Sequence, residues 1–174
     1  MHIPDGFIDG PTSLVAGLVA IAVVAWALRM TKRGLDDREV PIVGLVAAFV
    51  FAAQMINFPV ANGTSGHLLG AVLAAVLVGP YAGALAVTVV LIVPTLLFAD
   101  GGLSALGLNV INMAFVTTVV GWFVFRGLMA VLPRTRISVV VAGGVGALLS
   151  VPAAALAFTV EYALGGNATF DVSQ

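Results

Sequence analysis

Apolar residues fill most of the chain in long stretches, and short polar segments separate these stretches from one another. A helix that crosses a bilayer needs about 20 predominantly apolar residues. A pair such as Gly79-Pro80 breaks a helix, because proline disfavours helical geometry at the residue before it. The pattern therefore predicts an all-α fold, a polytopic transmembrane helix bundle with six spans. The predicted spans cover about residues 14–30, 41–58, 67–78, 81–98, 109–131 and 137–164.

The composition agrees with a membrane protein. Hydrophobic residues make up 61% of the sequence and charged residues 9%, whereas charged residues make up roughly 25% of ordinary soluble domains. The whole chain, residues 1–174, is therefore predicted to be a single integral-membrane domain. The sequence has no cysteine, which excludes disulfides, thiolate metal sites and cysteine nucleophiles.

The charged residues are divided unequally between the two sides of the predicted bundle. Basic residues concentrate on the cytoplasmic side of membrane proteins, and with six spans all seven Lys and Arg residues fall on one side. The N-terminus and both histidines are then extracytoplasmic, on the outer face of the cell membrane. No charged residue is expected deep in a span, which argues against an internal ion relay. The outer face receives five of the eight acidic residues: Asp5, Asp9, Asp100, Glu161 and Asp171.

A polar segment, residues 1–10, precedes the first predicted span. A secretory signal would open with basic residues and an apolar run, whereas this segment is acidic and turn-forming. We therefore expect Met1 to be the mature N-terminus, with an amine that is free for chemistry. Because His2 follows it directly, we expect the segment to chelate a metal ion on the outer face.

The chemistry of this chelate follows from the atoms at the terminus. The Met1 amine, the His2 amide nitrogen and the His2 imidazole can surround a metal ion in fused rings and leave one corner of a plane open. Four nitrogen ligands in a plane suit Ni(II) or Cu(II), with Co(II) a weaker candidate. His67, the other histidine, is predicted to begin a helix on the same side and is the natural fourth ligand. The alternative for His67 is a capping or hydrogen-bonding role, which is commoner for a lone histidine near a helix start.

Five polar residues are candidates to support the metal ligands. Metal-bound histidines usually donate their second ring nitrogen to a carbonyl, amide or carboxylate. For residues on the predicted spans the alternative is a hydrogen bond between helices, and for the serine before His67 it is helix capping. The candidates are Gln54, Asn57, Ser65, Asn109 and Asn112.

The chain carries four motifs in order, which are residues 1–7 (MHIPDGF), 51–60 (FAAQMINFPV), 63–70 (GTSGHLLG) and 100–107 (DGGLSALG), with Asn109 and Asn112 after them. This set closely resembles the CbiM/NikM family. That family comprises the substrate-binding (S) membrane subunits of cobalt and nickel transporters of the energy-coupling-factor (ECF) type. The resemblance covers nearly the whole chain at similar spacing, so it is specific for the family and less specific for the metal.

The resemblance implies a function, a ligand set and partners. The transported ligand would be Ni(II) or Co(II), without an organic cofactor, bound by the Met1 amine, the His2 amide nitrogen and imidazole, and the His67 imidazole. The implied partners are a transmembrane coupling (T) subunit, two cytoplasmic ATP-binding-cassette ATPases and often a small accessory membrane subunit, with no nucleic acid. The chain has no Gly-x-x-x-x-Gly-Lys-Ser/Thr motif, so we expect it not to be an enzyme itself. Family members usually continue into a seventh helix, whereas this sequence stops at Gln174.

Two hypotheses from other classes stay open. Gly63-Thr64-Ser65-Gly66 matches the Gly-x-Ser-Gly motif of rhomboid-type intramembrane serine proteases, in which a histidine on a later helix activates the serine. No histidine follows His67, and His67 would need unusual geometry to act as a base for Ser65. A purely structural membrane subunit is the other alternative, and it leaves the two outer-face histidines unexplained. The choice between nickel and cobalt also stays open.

Overall fold

The computed structural model describes residues 2–59 and 65–167, and this part of the chain forms a bundle of six helices with one short pair of strands. The helices are α1 (Gly10–Gly34), α2 (Val40–Gln54), α3 (Ala71–Val78), α4 (Pro80–Phe98), α5 (Leu106–Val131) and α6 (Arg136–Gly165), and the strands are β1 (Phe58–Pro59) and β2 (Ser65–Gly66). The two strands pair antiparallel. The helices follow one another in the order that the apolar stretches predict.

Four of the described helices, α1, α4, α5 and α6, are long and apolar enough to cross a membrane. This confirms the predicted all-α transmembrane fold. Two helices are shorter, since α2 has 15 residues and α3 has eight. With a rise of about 1.5 Å per residue α3 is about 12 Å long, whereas the hydrocarbon core is about 30 Å thick. The six-span count is therefore only roughly matched, because α3 covers less than half of that thickness.

The chain between β2 and α3 is not helical, and it carries His67. The prediction that His67 begins a helix is wrong, because α3 starts at Ala71. Gly70 explains the boundary: its φ is 77°, and a Cβ at this position would collide with the side chain of Val50 in α2. Glycine adopts this left-handed conformation without steric cost. The histidine thus lies on a non-helical segment that enters the bundle ahead of the short helix.

The core lies where α2, α3, α4 and α5 meet. Val50, Ala74, Leu91 and Ala114, one from each of these helices, are completely buried. The most apolar stretch of α4 is 56% buried inside the protein, and that of α5 is 50% buried. The corresponding stretches of α1 and α6 are only 22% and 17% buried. The central helices are therefore α4 and α5, whereas α1 and α6 turn most of their apolar surface outwards, as helices in contact with lipid do.

Close packing between the helices depends on glycines that leave no room for a side chain. A Cβ added at Gly83 of α4 would lie 2.6 Å from the backbone nitrogen of Ala75 in α3. A Cβ at Gly146 of α6 would lie 2.7 Å from the backbone oxygen of Gly121 in α5. Small residues permit this close approach of backbones between membrane helices. The short helix α3 is thereby held directly against α4.

We expect Gly83→Ala to destabilise the bundle by about 1–3 kcal/mol, the range for overpacking a well-packed core, because the added methyl group meets backbone atoms. Gly127→Ala in α5 is the matched control, since no atom lies within 4 Å of a Cβ at that position. Thermal unfolding in detergent should show a lower midpoint for Gly83→Ala and an unchanged or higher midpoint for Gly127→Ala. Equal midpoints for the two variants would contradict the close contact between α3 and α4.

Candidate metal site

Hydrogen bonds to Ile3 hold the N-terminal segment against the start of α5 and the loop before it. The Ile3 N–H donates to Oδ1 of Asn109 at 2.8 Å, and Nδ2 of Asn109 donates to the Ile3 carbonyl oxygen at 3.2 Å. The Gly102 N–H donates to the same carbonyl oxygen at 2.9 Å. Asn109 is almost completely buried, with 1% of its surface exposed. These bonds fix the backbone directly after His2.

Asp5 ties the same segment to the loop between α4 and α5. Its Oδ1 accepts hydrogen bonds from the hydroxyl of Ser104 at 2.5 Å and from the Ser104 N–H at 2.8 Å. Both bonds hold the pKa of the Asp5 carboxyl below its ordinary value, and the bond from the hydroxyl has the larger effect. A Cβ at Gly102 would collide with the backbone nitrogen of Asp5, so the approach of the two chains depends on this glycine.

The end of α6 anchors the segment from the opposite side. The Asn167 side chain donates to the carbonyl oxygen of Gly6 at 2.7 Å, and the Asp9 N–H donates to the carbonyl oxygen of Gly165 at 2.7 Å. Asp9 also caps α1, because its Oδ1 accepts the Thr12 N–H at 2.8 Å. Hydrogen bonding to Thr12 lowers the pKa of the Asp9 carboxyl. The N-terminal segment is therefore fixed between two different helix ends.

The imidazole of His2 lies beside the loop that contains Asp100, and 3% of the His2 side chain is exposed. Its Nδ1 lies 2.9 Å from the backbone carbonyl oxygen of Asp100, so Nδ1 carries the proton and donates it to that oxygen. Gly101 makes room for the ring, since a Cβ there would lie 3.1 Å from both Cβ and Nδ1 of His2. Nε2 of His2 is buried and has no hydrogen-bond partner among the described residues.

His67 presents a similar arrangement. Its Nδ1 lies 3.0 Å from the carbonyl oxygen of Leu68 and donates to it, while its Nε2 is buried without a partner in the described part of the chain. The residue is 8% exposed. Burial is the main cause that lowers the pKa of the His67 imidazole below its ordinary value. The ring is therefore neutral near pH 7, with a lone pair on Nε2.

The two imidazoles lie side by side, with ring centroids 5.1 Å apart and an angle of 69° between the planes. With metal–nitrogen bonds of about 2 Å, two imidazoles on neighbouring corners of one ion have centroids about 4.5 Å apart, and on opposite corners about 6.4 Å. The observed separation lies between these values, so one ion can bind both rings after small shifts. Buried polar atoms normally have a partner, and a neutral imidazole nitrogen is a common ligand of divalent transition metals.

Two imidazoles alone do not complete a planar set of four ligands. Across residues 2–59 and 65–167, no group of three His, Cys, Asp or Glu side chains is placed to hold a metal ion. Met1 lies outside the described residues. Its predicted role as a ligand therefore stays a prediction.

Two of the five predicted supporting residues hold the segments that carry the histidines. Asn109 binds the backbone of Ile3, next to His2. Gln54 is 1% exposed, and its Nε2 donates to the carbonyl oxygen of Leu69 at 3.0 Å. Each side chain thus acts on the backbone near a histidine. The ring nitrogens of both histidines are instead oriented by backbone carbonyl groups.

The other three candidates are placed differently. Asn112 donates to the carboxylate of Glu161 on α6 and not to a histidine. The side chain of Asn57 is exposed. Ser65 is described only through its backbone, which pairs with Pro59.

Sequence reasoning missed several groups that build the site. The carbonyl oxygen of Asp100 orients His2, and the sequence signal at this place is only the Asp-Gly-Gly turn, which predicts a tight loop without saying what its backbone binds. Asn167 follows the last helix in a polar tail, where no pattern distinguishes it from a solvated residue. Both contacts join positions far apart in the sequence.

Comparisons with known proteins place these features in a family. Residues 2–174 match the family model described as a cobalt uptake substrate-specific transmembrane region. A putative fused nickel transport protein NikMN from Archaeoglobus fulgidus is 46% identical over 128 residues, which are 74% of this chain and 42% of that protein. A putative metal transport protein from Methanocaldococcus jannaschii is 35% identical over 165 residues, which are 94% of this chain and 72% of that protein.

A solved structure has the same fold. The crystal structure of a truncated transition metal transporter matches with a TM-score of 0.85 and 35% identity, and it covers 94% of this chain and 75% of that chain. This chain spans less than half the length of the Archaeoglobus relative, which is a fused protein. These relatives are named as transport proteins, which favours transport over the intramembrane protease hypothesis.

We expect Asn109→Ala to free the backbone of Ile3. Leaving buried polar groups without a partner costs about 1–3 kcal/mol, which corresponds to local opening that is about 5- to 150-fold more frequent. Hydrogen–deuterium exchange of the N-terminal peptide should accelerate accordingly. Gln54→Ala is the crossed control: it should accelerate exchange around Leu69 and leave the N-terminal peptide unchanged. Unchanged exchange near Ile3 in Asn109→Ala would contradict the anchoring role.

Proposed function

The chain belongs to the family of cobalt uptake substrate-specific transmembrane regions, and on that premise we propose that it captures a divalent nickel or cobalt ion at the outer face of the cell membrane for an ATP-driven transporter. The family accounts for cobalt or nickel transport by a membrane protein. We propose in addition which atoms bind the ion, that they lie on the outer side of the membrane, and that ATP hydrolysis drives the transport.

One observation carries the proposal, namely the pair of imidazoles of His2 and His67, whose ring centroids lie 5.1 Å apart and whose Nε2 atoms are buried without a partner among the described residues. Each ring has its Nδ1 engaged by a backbone carbonyl oxygen. Metal-binding histidines usually have this arrangement, in which one ring nitrogen donates a hydrogen bond and the other binds the ion. In the proposed set His67 binds through Nε2 in this way, whereas His2 gives up the bond to Asp100 and binds through Nδ1. The alternative of two histidines that only pack in the core leaves both nitrogens desolvated without compensation, which is unfavourable.

In the proposed ligand set, the Met1 amine, the His2 amide nitrogen and the His2 imidazole occupy three corners of a plane, and His67 occupies the fourth. A six-membered chelate ring runs from the His2 amide nitrogen through Cα, Cβ and Cγ to Nδ1. In the structure Nδ1 donates to Asp100, so closing this ring requires the imidazole to turn about its Cβ–Cγ bond, a torsion with a broad energy profile. Planar nitrogen ligation favours Ni(II) over most competing ions.

The protons can be followed through the binding step. The His2 amide loses its proton when the nitrogen binds the ion, and the terminal amine must be neutral, so metal binding releases protons to solvent. Burial already keeps the His67 imidazole neutral. The bonds from Ile3 to Asn109 hold the peptide chain beside the reacting amide, which reduces the entropy that ordering the terminus would cost.

Transport itself requires other subunits in this proposal. Two cytoplasmic ATP-binding-cassette ATPases hydrolyse ATP, a transmembrane coupling subunit transmits the change, and a small accessory membrane subunit assists capture. The lack of a phosphate-binding motif in the sequence and the outward apolar faces of α1 and α6 support a chain that works within such an assembly.

We expect His2→Ala and His67→Ala each to abolish tight binding of Ni(II) by the purified protein and uptake by cells, because either change removes one corner of the ligand plane. Thr159→Ala, on an exposed position of α6, is the matched control and should leave both properties unchanged. Binding is measured by an optical titration, in which a yellow, diamagnetic Ni(II) species indicates planar nitrogen ligation. Retained uptake in both histidine variants would overturn the ligand assignment.

We expect one residue added before Met1 to lower the affinity for Ni(II) by at least tenfold, because it moves the amine away from the His2 chelate ring. The extension should carry a protease site whose cleavage restores Met1 as the first residue. The same preparation is then titrated before and after cleavage. If both titrations give the same affinity, the terminal amine is not a ligand.

A further inference from the structure

Glu161 is the one acidic residue within the described helices, and the proposed metal capture gives it no role. It lies inside α6, four residues before the helix ends at Gly165, and it is half-buried. The sequence-based expectation placed it among the outer-face acidic residues. Ionisable side chains within membrane helices are costly, and they commonly mark an ion path. Its position therefore calls for a role beyond the surface.

Asn112 of α5 is the partner of this carboxylate. Nδ2 of Asn112 donates to Oε2 of Glu161 at 2.6 Å. Asn112 is 4% exposed, and its Oδ1 is buried without a hydrogen-bond partner in the described part of the chain. It lies in the π-helical stretch Val110–Val116 of α5, and π-helical turns occur frequently at functional sites. An unpartnered amide oxygen thus lies next to a membrane carboxylate.

Neighbours of this pair on both helices contact the N-terminal segment. Asn112 follows Asn109, which binds the Ile3 backbone, by one turn, or about 4.5 Å along the helix. On α6, Tyr162 adjoins Glu161 in sequence and packs in the same apolar cluster as Ile3. The pair therefore lies one helical turn from the side chain that fixes the backbone next to His2.

We propose that Glu161 and Asn112 form a second, oxygen-lined cation site, which a divalent nickel or cobalt ion occupies after it leaves the nitrogen ligands; this rests on the proposed function. The carboxylate supplies a negative charge, and the free Oδ1 of Asn112 supplies a second oxygen. Oxygen ligands bind Ni(II) and Co(II) less tightly than a planar nitrogen set does. A weak site next to a tight one allows an ion to leave, as multiple sites do in ion pathways.

The first test separates binding from uptake with Glu161→Gln, whose amide oxygen can still accept the hydrogen bond from Asn112. Purified Glu161→Gln should keep the optical spectrum and the Ni(II) affinity of the wild type within twofold, while nickel uptake by cells falls at least tenfold. Unchanged uptake would reduce the pair to a hydrogen bond between helices and overturn the proposal. Weakened Ni(II) binding would assign Glu161 to the nitrogen site, which also overturns it.

The second test measures the site directly with Mn(II), which prefers carboxylate and carbonyl oxygens. The full chain with His2→Ala and His67→Ala is titrated with Mn(II), and the loss of the electron paramagnetic resonance signal of aqueous Mn(II) reports binding. Adding Glu161→Gln to this variant should remove about one bound ion per chain; equal binding overturns the second site. Failure of the proposed function has a different signature, since His2→Ala would then keep uptake whatever Glu161 does.

Discussion

The need to satisfy backbone polar groups inside an apolar bundle governs this structure. Two non-helical segments, one before α1 and one before α3, enter a protein that is otherwise helical. Membrane interiors offer no water to such segments, so irregular backbone is tolerated only where protein groups pair with it. Asn109 and Gln54 provide this pairing, and each has only 1% of its surface exposed. These two side chains therefore allow the segments that carry the histidines to lie inside the bundle.

Within this satisfied framework a few polar atoms are exceptions, and the proposed function rests on them. The backbone of Ile3 is bonded through both its N–H and its carbonyl group, and Nδ1 of each histidine has a carbonyl partner. The Nε2 atoms of His2 and His67 have none among the described residues, and the two ring centroids lie 5.1 Å apart. In the proposed metal site, the free energy that desolvating Nε2 of His67 costs is recovered when this nitrogen binds the ion. Glycines at positions 101 and 102 make the arrangement possible, since a Cβ at either would crowd the N-terminal segment.

The sequence predicts the parts of this structure that depend on composition and on residue identity. Long apolar stretches predict the transmembrane helices, and the chemistry of an N-terminal histidine predicts a role for His2. The boundary of α3 was not predictable from the pattern, because His67 is followed by apolar residues that suit either a helix or a buried extended segment, and the left-handed Gly70 decides between them. The Asp100 contact was hidden for another reason: it uses a backbone carbonyl, which every residue has. Likewise, only the fold reveals that Glu161 faces Asn112.

The way in which the two histidines are held has a mechanical consequence. His2 is fixed through Ile3 and Asn109 to α5, and its segment is also bonded to the end of α6. His67 is fixed through Leu69 and Gln54 to α2. No helix carries both histidines, so a shift of α2 relative to α5 changes their separation without unfolding either segment. A planar ligand set tolerates little change in metal–nitrogen distance, since interactions at a metal site depend on geometry held to about 0.5 Å. In the proposed planar site, a small movement between these helices is therefore sufficient to weaken metal binding, and rigid anchoring of each histidine is what makes that movement effective.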